Sequence, residues 1–112
     1  MTKYLISFPA HAMMVSADDL PAVSDDSRRV IAEAKAAGVY VFAGGIDASV
    51  APVLVPAQGA LEESTYPGSH LDGGFAVLEC ASRDEAVRWA RRLAKACRCA
   101  QEVREFGYDP DS

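Results

Sequence analysis

The sequence predicts an α+β domain in which strand and helix signals alternate as βα, β, a hairpin, β, α, β. Three observations carry this. Runs rich in β-branched and aromatic residues recur at 3–8, 39–45 and 73–80 and again near the C-terminus. Apolar residues at helical spacing fill the stretches before residue 38 and from residue 86 to 97. Prolines and glycines mark the breaks between them. With the hairpin set aside the order is βαββαβ, the split motif of ferredoxin-like folds.

The first strand is KYLISF, 3–8, ended by Pro9, which cannot continue a central strand. PAHAMMVSADDLPAV then reads as a loop leading into a helix, with Asp18 or Asp19 as its cap, or Ser24 for a shorter version. Val30, Ile31, Ala34 and Ala37 recur at helical spacing, and Gly38 stands where a C-terminal cap belongs. VYVFAGG, 39–45, is the second strand, stopped by paired glycines. PVLVP and ALEEST flank AQG at 51–66, a hairpin with Gly59 at its turn. GGFAVLEC, 73–80, is the next long strand.

SRDE, 82–85, has the capping-box pattern, with Ser82 as N-cap and Glu85 three residues inside. Ala86, Trp89, Ala90, Leu93 and Cys97 then line one apolar face, with most of the basic residues off it. AQEVREF is the last strand before a polar tail.

The chain of 112 residues is read as a single domain, 1–112, half of it hydrophobic and about a quarter charged. A net charge of −5, with basic residues scattered and not interleaved with aromatics, argues against nucleic acid. No apolar run reaches membrane-spanning length, and the N-terminus alternates like a strand, unlike a signal peptide. Three cysteines, an odd number, suit reduced thiols. The expectation is a cytoplasmic protein without a membrane or nucleic-acid partner.

Both helices of this motif cover one face of the sheet, so the other face of a monomer should be polar. Here Tyr4, Ile6 and Phe8 share one face and Leu5 takes the other. Phe75 and Val77 point one way, and Ala76, Leu78 and Cys80 the opposite way. Apolar side chains on both faces predict that both are covered, by a second copy or by the hairpin folded over.

KYLISF, EAKAAGVYVFAGGI from Glu33, LDGGFAVLECASRDEAVRWARRLA from Leu71, and CAQEVREF near the end together resemble the YCII-related family, with its DGPF-domain branch. The resemblance implies a homodimer whose sheets face one another, the dimeric α+β barrel, with a cleft beside the sheet for small molecules. It also implies that a His–Asp pair is a candidate catalytic site. The spacing aligns Gly73-Gly74 with the glycine pair that starts the strand in that family. The Asp-Gly-Pro-Phe counterpart then falls near STYPGS, without its aspartate.

Antiparallel neighbours in this motif bring His11 and Met13, then Gly44, Gly45 and Asp47, then His70 and Asp72, then Cys97, Cys99 and Gln101 to one end of the sheet. His70, Asp72 and His11 are the candidate catalytic residues, a histidine acting as base with Asp72 or Asp47 fixing its tautomer. The plain alternative is a pair of solvated loop histidines. Asp47, Tyr66 and Arg104 are candidate ligand-binding residues; an ion pair between Arg104 and Glu102 at the dimer face is the alternative for the last.

No cofactor is expected. Gly44-Gly45 lacks the lysine and following helix of a phosphate loop. Cys97 and Cys99 do not have zinc spacing, so no metal is assigned, although His11, His70, Cys97 and Cys99 would supply four ligands if they converged. Two function classes stay open: an enzyme using histidine acid/base chemistry on a small polar molecule, and a non-catalytic small-ligand-binding or accessory dimer.

Overall fold

The computed structural model describes all residues from Met1 to Ser112. Four strands form one antiparallel sheet: β1 (Thr2–Phe8), β2 (Tyr40–Gly45), β3 (Gly74–Cys80) and β4 (Glu102–Glu105), in spatial order β2-β3-β1-β4. Two helices, α1 (Leu20–Ala36) and α2 (Arg83–Cys97), pack on one side of the sheet. This element order and strand order are those of the expected βαββαβ motif.

Local chemistry places the helix ends. The Ser82 hydroxyl accepts the Glu85 N–H at 3.2 Å, and the Glu85 carboxylate accepts the Ala81 N–H at 3.0 Å. The capping box therefore forms, with its return bond one residue before the cap. The start of α1 is different. Asp19 is the N-cap but makes no side-chain cap bond. Its carboxylate instead accepts the Ser16 hydroxyl at 3.0 Å, and a proline in the first turn removes one N–H that would need a partner. Ser24 lies inside the helix, where its carbonyl accepts the Ser27 hydroxyl.

The strand register sets the core in rows. Tyr4 and Tyr40 flank Leu78, and Val103, Ile6, Ala76 and Ala43 form the next row. Tyr4, Ile6, Ala76, Leu78 and Cys80 are buried on this face against Ala86, Ala90, Leu93 and Ala96 of α2 and Val30 and Ala34 of α1. Alanines at four of those six helix positions leave little side chain to hold the helices apart. Ion pairs Arg92–Glu33 and Arg98–Asp26 then bridge α1 to α2 at their solvent side.

The opposite face carries Leu5, Phe75 and Val77, none fully buried, with Phe42 at 59% exposure beside them. A bulge between Tyr40 and Phe42 turns both Val41 and Phe42 outward.

The predicted hairpin at 51–66 reduces to one bridge, in which Leu54 and Glu62 exchange both backbone hydrogen bonds. Pro52 and Pro56 bracket that bridge and lack the N–H groups a longer ladder needs. Segment 46–73 is therefore an arm, closed at its base by the Ile46 N–H to Gly73 carbonyl bond and holding no buried residue.

The molecule measures 45 × 44 × 20 Å with a radius of gyration of 15.6 Å. A compact chain of this length has a radius near 13 Å. One helix layer on one sheet layer accounts for about 20 Å of thickness. The arm thus extends within the plane of the two layers and does not form a third layer over the open face.

Candidate ligand slot and the histidine edge

The register confirms that one end of the sheet collects the chemically distinctive residues. Phe8 ends β1 opposite Gly74, which starts β3, and Gly45 ends β2 opposite the same residue. His11 follows β1 in a short 3-10 turn, and His70 precedes β3. Their rings meet edge to face, with centroids 5.5 Å apart.

The carboxylates do not join them. Asp72 accepts the Ala10 N–H at 3.0 Å, which ties the segment before β3 to the segment after β1. Asp47 accepts both the hydroxyl and the N–H of Ser49, at 2.6 and 2.9 Å. Those two bonds, the hydroxyl first, hold the Asp47 carboxyl below the usual range. Both histidines are exposed. Neither has a carboxylate, hydroxyl or amide among its hydrogen-bond partners, so nothing fixes a tautomer as a catalytic pair requires.

The other candidates are spread apart. Tyr66 is 75% exposed on the arm, in a turn closed by the Ser69 N–H donating to its carbonyl at 3.1 Å. Gly68 supplies the positive φ of 78° that a Pro-Gly turn of this type needs. Arg104 pairs with Glu102 at 3.3 Å on the open sheet face. No three His, Cys, Asp or Glu side chains stand close enough to share a metal ion. Cys97 closes the core side of α2, where burial pushes its thiol up to about 11. Cys99 accepts the Gln101 amide at 3.7 Å.

A cavity of about 600 Å³ lies between α1 and the helix-facing side of β2 and β3. Its origin is the row pattern. Gly45 and Gly74 pair, and beside them Ala43 and Ala76 pair. These four small residues form a block where large side chains would normally fill the space under a helix. Phe8 lies across the first row: a Cβ built on Gly74 would stand 2.5 Å from its ring. A Cβ on Gly45 would meet nothing closer than the Gly73 carbonyl at 3.9 Å.

Val23 and Ile31 of α1 form the roof, Tyr40 the far wall, and Met13 and Gln101 the end nearest the histidines. Neither histidine lines the slot. Two cations do, Arg28 and Lys35, both on α1 and on one stripe of it, and no carboxylate accompanies them. Lys35 stands 4.8 Å from the centre of the Tyr40 ring.

Sequence reasoning reached Gly44 and Gly45 as residues of this edge but not the slot. The available signal was small residues at alternate positions, Ala43 with Gly45 and Gly74 with Ala76, in two strands that otherwise carry large ones. Compared with known families and curated proteins, the chain matches no family model and no curated sequence.

Proposed function

We propose that the chain is a YCII-like homodimer that binds a small molecule in the slot between α1 and the sheet and does not transform it. The observation that carries this reading is the slot itself. Its volume of about 600 Å³ and its largely apolar lining suit a small-molecule pocket. The histidines beside it lack the carboxylate partner that acid/base work calls for.

Measurement of methyl and imidazole resonances while 2-naphthylmethanol is added tests the reading. The Ile31, Ala76 and Met13 methyl signals should move in a saturable way, with the histidine ring signals still. Unmoved methyls would refute slot binding. A second reading, acid/base chemistry by the histidines, draws on the 5.5 Å contact between the His11 and His70 rings. It requires a bound molecule to reach those rings, so it predicts that the imidazole signals move together with the methyls.

The homodimer is supported by the uncovered face of Leu5, Phe75, Val77 and Phe42, and by the arm, which exposes Ile46, Val50, Val53, Val55, Leu61 and Leu71. Light scattering should return twice the 11.9 kDa of the chain. A Val77→Glu variant places a charge in the middle of the facing sheets and should return the single-chain mass. A wild-type mass of one chain at micromolar concentration would rule the dimer out.

A further inference from the structure

We infer that the slot takes a flat, apolar molecule bearing a carboxylate, its body lying on Gly45 and the Ala43–Ala76 pair beside the Phe8 ring and its anionic group held by Arg28. This rests on the slot being a binding site and names the class of ligand.

Shape sets the body. Beside the Phe8 ring, which covers Gly74, the floor of Gly45, Ala43 and Ala76 has no side chain larger than a methyl, and α1 lies over it, so the free space is a layer between two surfaces. Phe8 and Tyr40 stand at opposite ends of this floor and bound its length.

Charge sets the head. The protein carries a net charge of −5, yet the only charged side chains that line the slot are two cations, Arg28 and Lys35, with no acid beside them. The groove on the outer side of the two helices is the contrast. There Arg29, Arg92 and Lys95 stand with Asp26 and Glu33, and the charges are largely paired within the chain. Neither Arg28 nor Lys35 makes an ion pair.

The two cations are not equivalent. Lys35 is already occupied over the Tyr40 ring. Arg28 is unengaged, and its planar fork matches a carboxylate with two parallel hydrogen bonds. Seven residues along one helix separate them by about 10 Å, so a small ligand with one anionic group meets one of them and not both.

Calorimetric titration with 2-naphthoate and with its uncharged counterpart 2-naphthylmethanol decides the matter. The naphthoate should bind at least about tenfold more tightly, the worth of one charged hydrogen-bonded contact. Arg28→Gln should remove that advantage and leave the alcohol unchanged. Arg29→Gln, which deletes the same charge one residue away but outside the slot, should change naphthoate binding less than about twofold, since a solvent-screened charge contributes little. Gly45→Val, a strand-compatible residue with room at its Cβ, should weaken both probes. Equal binding of the two probes, unaffected by Arg28→Gln but lost in Gly45→Val, would overturn the anion assignment and leave the slot as a binding site. Binding of neither probe at millimolar concentration would overturn both.

Discussion

The carboxylate of Asp72 accepts a hydrogen bond from the backbone N–H of Ala10 at 3.0 Å, joining two segments 62 residues apart in sequence. Next to this bond a Cβ on Gly73 would lie 2.0 Å from the Phe8 carbonyl oxygen and within 3 Å of Pro9 and Ala10 backbone atoms. The end of β1 and the start of β3 are therefore in backbone contact there. Gly73→Ala should cost about 3 kcal/mol, because backbone on both sides must move. Asp72→Ala should cost about 1 kcal/mol, an exposed hydrogen bond. Urea denaturation of the two variants checks the order; an Asp72→Ala loss exceeding that of Gly73→Ala would contradict it.

Stability should fall at alkaline pH through Cys97. Its thiol titrates at 9.0 when exposed and is pushed up to about 11 in the folded chain, by burial first. The folded state therefore holds a proton that the unfolded state has released between those values. That contribution is complete below pH 9 and is lost as pH rises toward 11, on the order of 2 kcal/mol. Burial raises the Cys80 and Cys99 thiols in the same sense. Urea midpoints at pH 8 and pH 11 should differ by more in the wild type than in Cys97→Ala. Equal differences would remove Cys97 from the account.

Arg98 occupies the left-handed region at the end of α2, with φ 61°. A β-carbon there is unfavourable by about 1 kcal/mol relative to glycine. The residue offsets this with its pair to Asp26 at 3.0 Å and a bond to the Lys95 carbonyl at 3.2 Å. Arg98→Ala loses those contacts and keeps the strain, while Arg98→Gly loses both. The glycine variant should therefore be the more stable of the two by about 1 kcal/mol in urea titration, and the reverse order would show that the left-handed backbone is not strained.

No residue between 46 and 73 is buried, so the arm contributes little to the core of its own chain. Replacing Ala48–Leu71 with a Gly-Asn turn should leave the sheet intact by circular dichroism. Shortening the closed loop should raise the stability of the isolated chain by about 1–2 kcal/mol. If the arm clasps a second copy, the same variant should shift light scattering toward 11.9 kDa. Unfolding of the shortened chain would show that the arm supports the core.

What was legible in the sequence divides by distance along the chain. The Ser82–Glu85 cap and the Gly38 helix end are interactions within a few residues, and the pattern stated them. The meeting of His11 with His70 followed from strand order alone, because antiparallel neighbours put the exit of β1 beside the start of β3. The slot was not legible. Ala43, Gly45, Gly74 and Ala76 form a floor only once β2 and β3 align in one particular register, and a slip of one residue would send one strand's pair to the open face. The shortness of the 51–66 hairpin was written in Pro52 and Pro56, but the Gly59 turn signal spoke against it. The turning of Asp72 toward Ala10 was equally hidden, since the competing partner was a backbone N–H supplied by another strand's exit.

The spatial order β2-β3-β1-β4 interleaves the two halves of the chain. The half before the arm supplies one central and one edge strand with α1, and the half after it supplies the other central and edge strand with α2. All three strand pairings join one half to the other, the longest being β1 with β3, from Thr2 opposite Cys80 to Phe8 opposite Gly74. Proteolytic scission of the arm would then yield two fragments that stay associated, each completing the other's sheet. Made as separate polypeptides, the two pieces should therefore recognise one another through these pairings.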